Sequence, residues 1–287
     1  MAQSRFKSIR LSEASLLWQW PEVSLALPPP APYALGVLNV TPDSFSDGGV
    51  YLDAEKALRG ASRMAEEGAV IIDVGAQSTR PGYARVSEDE ERRRVLPVLR
   101  AIKEALSAKT LVSIDTDKAG LADEALRDGL ADLINDTSGG DVNMARVAAR
   151  YGVPLILTHI PESAGHGSLS AVARDLDALR KVYVKAGLPQ DCIALDPGLG
   201  FNKTNEESLA LLRECAKLLD LGSPLCVGAS RKRFIGEATR NPDPVSRLGG
   251  SLAAVVWAAL EGVSFVRVHD VKETAQALAM IAALKRA

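Results

Sequence analysis

Residues 36–49 read GVLNVTPDSFSDGG. The apolar run that begins at Ala34 stops at Asn39, and Thr41, Pro42, Asp43, Ser44, Ser46 and Asp47 then open a long polar loop. A buried strand that ends on a side-chain amide and gives way to polar residues puts functional groups at its C-terminal edge, where parallel α/β folds bind ligands. The same event recurs seven more times along the chain.

Strand-length apolar runs lie at 34–38, 69–74, 110–114, 132–134, 154–157, 192–195, 224–227 and 265–268. Segments with helical spacing lie between and after them, at 54–67, 88–106, 119–128, 142–151, 169–186, 206–219, 245–260 and 273–285. Gly68, Gly129, Gly152, Gly187 and Gly262 stand just before the next apolar run, the expected helix-closing signal. Continuous apolar strands joined by helical crossovers specify a parallel sheet covered by helices.

Eight such units in about 250 residues match the size of a (β/α)8 TIM barrel. The expectation is a single α/β domain over 34–287, preceded by an N-terminal arm, 1–33, that Pro28, Pro29, Pro30 and Pro32 set apart. A barrel is preferred to an open doubly wound sheet because every strand ends on polar residues: Asn39, 75–82, Asp115, Asn135 and Asp136, His159, Asp196, 230–232 and 267–270. A closed barrel gathers those ends on one face, whereas an open sheet scatters them.

With 287 residues, 47% of them apolar and 24% charged, and a formal charge of -2, the chain can bury a large core and shows no electrostatic footprint for nucleic acid or an acidic membrane. Small molecules are the expected partners. Cys192, Cys215 and Cys226 have neither disulfide-framework nor zinc-site spacing, which fits a reducing cytoplasm. Arg5, Lys7 and Arg10 could belong to an organelle leader, but Glu13 and Glu22 favour a plain arm and a cytoplasmic location. The longest apolar run, 252–260, falls far short of the roughly 20 residues of a membrane span.

Two constellations carry chemistry on the barrel reading. Asp115, Asn135, Asp196 and Lys232 offer two carboxylates, an amide and an ammonium, a set suited to a flat heterocycle. The carboxylates would accept paired N–H bonds from an amidine-like ring edge, and Lys232 would donate to a ring carbonyl or nitrogen. Taken singly, Asp115 and Asp196 could equally cap the next helices or pair with Lys118 and Lys203. Asn39, Arg267 and His269 form the second set, suited to a phosphate or pyrophosphate with its metal. Its bland alternative is an Arg-His pair satisfying Asp270. Ser230, Arg231, Lys232 and Arg233 suit an anionic group at a strand end or are a solvated basic loop. The polar loops 43–49 and 77–82 are lid candidates or ordinary connections. His166 and Tyr183 are read as surface or packing residues, and Asp73 as an interior carboxylate whose partner the sequence does not name.

With these segments in hand, the chain resembles the dihydropteroate synthases over about residues 35–284. GVLNVTPDSFSDGG, IIDVGAQSTRPG, LVSIDTDKA, LINDTSGG, ALDPGLGF, GASRKRFIG and FVRVHDV occur in that family's order, one per strand apart from the fifth. The resemblance implies condensation of 6-hydroxymethyl-7,8-dihydropterin pyrophosphate with 4-aminobenzoate, with Mg2+, in folate biosynthesis, by a homodimer that sulfonamides target. It implies that Asp115, Asn135, Asp196 and Lys232 bind the pterin with Phe201 lining the pocket, and that Asn39, Arg267 and His269 hold the pyrophosphate, Asn39 also near the metal. Phe45, Thr79, Arg80 and Pro81 would close over the aminobenzoate, whose carboxylate would meet Ser230 and the helix start beyond it.

Gln77 stands where many members have Glu, Thr158 replaces the Met usual before the His, and Asn202 replaces a Gly. These departures touch pocket shape. A pterin-binding methyltransferase of the same superfamily would share the pterin residues but leaves the STRPG and SRKR loops unexplained. A non-catalytic pterin-binding protein would be expected to lack leaving-group residues, and Asn39, Arg267 and His269 are all present.

Overall fold

The computed structural model describes residues 6–12, 15–40, 50–76, 86–163 and 165–287. Three short strands come first, β1 (Lys7–Ser12), β2 (Ser15–Gln19) and β3 (Ser24–Leu27), paired as an antiparallel meander. Strand and helix then alternate: β4 (Tyr33–Asn39), α1 (Val50–Glu66), β5 (Ile71–Gly75), α2 (Glu88–Ala105), β6 (Leu111–Thr116), α3 (Ala119–Arg127), β7 (Leu133–Asp136), α4 (Val142–Tyr151), β8 (Leu155–Thr158), α5 (Leu169–Lys185) and β9 (Ile193–Asp196). The chain finishes with α6 (Asn205–Arg213), β10 (Cys226–Val227), α7 (Arg233–Ala238), α8 (Leu248–Leu260), β11 (Phe265–Val268) and α9 (Val271–Leu284).

Strands β4 to β11 are parallel and ordered β10-β11-β4-β5-β6-β7-β8-β9. A parallel bridge between Leu195 and Leu225 joins the two ends, so the sheet closes into the expected (β/α)8 barrel. Helix starts are fixed locally. Ser87 accepts the Glu90 N–H ahead of four acidic residues in the first turn of α2, and Thr204 with Glu207 forms a capping box on α6. The five glycines expected to close helices all have positive φ.

Several boundaries differ from the sequence expectation. The helix expected over 206–219 ends at Arg213, and a 3-10 segment, Cys215–Leu221, completes it, because apolar spacing of three serves both helix types. Residues 245–260 open with a 3-10 turn, Val245–Arg247, before α8. Strand β10 keeps two of the four expected residues, since Pro224 has no N–H for the ladder. Helix α7 is an addition to the alternation, too short at six residues to show a period.

Within the segment read as an arm, 1–33, residues 7–12 and 15–27 form a folded sheet. Trp18 is fully buried, its ring 5.4 Å from that of Phe265, and its Nε1–H donates to the Asp191 carbonyl at 2.7 Å. Arg10 Nε donates to the Asp191 carboxylate at 3.0 Å. Phe265 opens β11 and Asp191 precedes β9, so the meander covers the N-terminal end of the barrel, opposite the end where barrel sites lie. Among the described residues, no helix is long and apolar enough to cross a membrane.

Candidate active site

Parallel register decides which side chains enter the barrel. A side chain on Gly36 would meet Met64 of α1 and Val271 of α9, so Leu35, Val37 and Asn39 occupy the opposite, interior face of β4. Val37 pairs with Asp73 and Asp73 with Ser113. One interior step higher, Asn39 pairs with Gly75 and Asp115 with Asn135, while Thr158 pairs with Asp196 farther round. The lower interior is apolar, with Leu35, Ile71, Leu111 and Phe265 buried, and the polar residues begin above it.

Asp115, Asn135 and Asp196 are all buried at these strand ends. Lys232, the residue before α7, lies 4.4 Å above the Phe201 ring and donates to the Leu199 carbonyl. Asp196 accepts the Gly198 N–H at 2.7 Å. The pterin-type constellation expected from sequence therefore converges on one mouth. Burial pushes the Lys232 ammonium down to about 8, against the opposing pull of Asp196. Burial raises the Asp115 carboxyl to about 7, with Arg267 resisting and the like charge of Asp73 adding to the rise. It raises Asp196 as well, with Lys232 resisting.

Arg267 reaches upward from β11. Its Nε donates to Asp73 Oδ2 and its Nη2 to Asp115 Oδ2, each at 2.6 Å. Burial opposes this guanidinium's charge, but Asp73 and Asp115 outweigh it and hold the pKa above the ordinary arginine value. Gly75 makes room for the approach, because a Cβ there would sit 3.1 Å from Asp115 Cβ. Asp270 pairs with Arg231 rather than with Arg267. The capping and lysine-pairing alternatives for the aspartates fail similarly, since Lys118 and Thr204 stand at the starts of α3 and α6. Lys118 pairs with Asp117 and Glu91, and Lys203 donates to the carbonyls of His159, Gly198 and Phe201 at 3.1, 3.0 and 3.3 Å.

Ser230 is buried against His269, accepting its backbone N–H at 3.2 Å and standing 3.1 Å from Nδ1. The Asn39 amide is half-buried and, among the described residues, has no side-chain hydrogen bond. An amide oxygen at the interior end of β4, without a partner among the described residues, suits a hard divalent cation that takes most of its oxygens from phosphate and water. Phe45, Thr79, Arg80, Pro81 and Gln77 lie outside the described residues.

Sequence reasoning left some participants unassigned. Asp73 joins Arg267 and Asn135, and nothing local in IIDVG points to partners so distant in the chain. Tyr183 is buried as packing would have it, yet its hydroxyl donates to Asp136 beneath the loop after β7. His159 is buried with Nε2 3.5 Å from Asp175, and burial together with Lys203 lowers it to about 4, leaving a neutral ring.

Residues 35–269 match the family model described as pterin binding enzyme. The dihydropteroate synthase of Bacillus subtilis is 45% identical over 253 residues, covering 87% of each chain. A solved dihydropteroate synthase of Xanthomonas albilineans with 4-aminobenzoic acid superposes with a TM-score of 0.86 at 37% identity, over 92% of this chain and 96% of that one. The dihydropteroate synthase of Clostridium difficile, solved in the presence of pteroic acid, gives 0.85 at 39% identity, over 90% and 98%.

Proposed function

The chain belongs to the pterin-binding dihydropteroate synthase family, and from that membership we propose how its own residues divide the reaction. The reaction is the condensation of 6-hydroxymethyl-7,8-dihydropterin pyrophosphate with 4-aminobenzoate to give 7,8-dihydropteroate and pyrophosphate, a transferase step of folate biosynthesis.

Asp115, Asn135 and Asp196 bind the pterin's N–H edge, Lys232 donates to its acceptors, and Phe201 lines the pocket beneath that ammonium. As the carbon–oxygen bond to pyrophosphate breaks, positive charge spreads into the ring, and the two carboxylates stabilise it without rearranging. Arg267 and His269, with Asn39, receive the leaving group. Mg2+ held by Asn39 would supply further positive charge at the departing oxygens. The aminobenzoate nitrogen then attacks the exposed carbon and loses a proton, a step that needs position more than a strong base. Phe45, Thr79, Arg80, Pro81 and Ser230 are assigned to the aminobenzoate, so a sulfonamide that mimics it should compete at the same place. No covalent enzyme intermediate is required.

The observation that carries this division is the gathering of Asp115, Asn135, Asp196 and Lys232 at one barrel mouth with Arg267 bonded into the same group. The proposal extends to a cytoplasmic homodimer. Trp257 and Leu260 on α8 and Met280 and Leu284 on α9 are exposed on packed neighbouring helices, and sedimentation would report the state. The test of the reaction is an assay with both substrates. Dihydropteroate and pyrophosphate should form only when both substrates and Mg2+ are present, and product formed equally well after chelation would remove the metal from the scheme.

A further inference from the structure

We propose that Asp73, which has no role in the division above, is a positioning residue that holds the pterin-binding Asn135 and the pyrophosphate-binding Arg267 on a single carboxylate oxygen. The inference rests on that division of roles. Asp73 Oδ2 accepts from Arg267 Nε at 2.6 Å and from Asn135 Nδ2 at 3.0 Å. These two donors come from the two different constellations, and Asp73 is fully buried at the interior level between them, one step below Asn135 and one above the backbone of Arg267.

The choice of partners separates this carboxylate from a scaffolding one. Asp132 accepts the Val112 backbone N–H, and Asp136 accepts the Ser138 backbone N–H. Among the described residues, Asp73 bonds only to the two site side chains, and its Oδ1 is buried without a partner. Stability alone does not call for such a group, since apolar residues of similar volume fill an interior at least as well as a buried ion pair. Geometry gives it work at the site. Asp73 and Asp115, from adjacent strands, take the Nε and one Nη2 hydrogen of Arg267, which fixes the guanidinium plane and leaves its Nη1 edge for phosphate oxygens.

Asp73→Asn, nearly isosteric, is the test. In the folded variant, kcat/KM for the pterin pyrophosphate should fall by about tenfold or more, with KM for 4-aminobenzoate near the parent value. Calorimetric titration should show weakened binding of both unphosphorylated 6-hydroxymethylpterin and inorganic pyrophosphate, because both donors lose their anchor. The acid limb of the kcat/KM profile should also move to lower pH, since Asp115 loses a like-charged neighbour. Parent-like kcat/KM overturns the inference, and so does a loss shared equally by both substrates with the acid limb unmoved, which is what a purely structural role produces.

If the variant does not fold, the parent protein carries the test through the Arg267 Nε–H resonance, assigned by its loss in Arg267→Lys. That proton should stay protected from exchange when inorganic pyrophosphate saturates the site, and loss of protection would mean that Arg267 leaves Asp73. A parent chain that makes no dihydropteroate would sink the division of roles instead.

Discussion

At Lys232, the burial that sets an ammonium over Phe201 at the barrel mouth also makes its charge costly. Its pKa is lowered to about 8, while the Asp115 carboxyl is raised to about 7 and Asp196 is raised too. If the pterin needs the carboxylates ionised and the lysine protonated, kcat/KM should trace a narrow bell whose limbs belong to the coupled cluster. Lys232→Met should lose about a hundredfold in kcat/KM and, with it, the alkaline limb. Burial also lowers Lys203 to about 8, but its ammonium is committed to three backbone carbonyls, so a limb that survived in the variant would point there. Stability should move the other way. Between about 8 and the ordinary 10.5, the unfolded chain holds more protons at Lys232 than the folded one, so this residue's contribution to stability rises with pH while activity falls. Urea titrations at the two ends of that window, on parent and variant, would show the difference.

The loop between β10 and α7 shows what a sequence reveals about an element and what it hides. SRKR reads as one basic stretch, yet its residues diverge. Arg231 adopts φ of 60° and turns its guanidinium to Asp270, Lys232 lies over Phe201, and Arg233 is exposed with its Nε 3.3 Å from Asn205. Strand ends were legible because an apolar run that stops on Asp or Asn is a local signal, and Asp115, Asn135 and Asp196 were found that way. Asp73 lies inside its run rather than at the end, and its bond to Arg267 spans 194 residues, so only barrel closure brings the two together. The loop's anchor was hidden for a different reason, since its partners are near in the chain but are backbone carbonyls that no side-chain pattern marks. Arg247 is buried and donates to the carbonyls of Arg231, Asn241 and Pro242. Arg247→Met strands those carbonyls and should cost about 3 kcal/mol in urea unfolding. Turnover should fall too, because Ser230 and Lys232 flank the released residue. An unstable variant with parent kcat/KM would mean that the loop holds its shape without Arg247.

Across the whole molecule, the barrel is graded from an apolar floor to a polar mouth, and the N-terminal meander closes the floor. Proline-rich composition disclosed where the segment 1–33 parts from the barrel run but not that 7–12 and 15–27 fold, because β1 is mostly exposed and the three strands are only six, five and four residues long. Aromatic packing makes them a unit. Phe6, Trp18 and Trp20 meet with ring centroids 4.8 to 6.4 Å apart, and Trp18 continues the stack onto Phe265. Trp18→Ala removes a fully buried ring and the bond to the Asp191 carbonyl, so it should cost about 3–5 kcal/mol of unfolding free energy. The lost contacts lie at the N-terminal ends of β9 and β11, and the chemistry lies at the other ends of the same strands. Below the variant's melting point, kcat and both KM values should therefore match the parent. Two of the three tryptophans sit in the meander, so intrinsic fluorescence can report whether it detaches before the barrel unfolds. Stability unchanged with kcat/KM reduced would reverse the assignment, making the meander part of the catalytic apparatus rather than the floor beneath it.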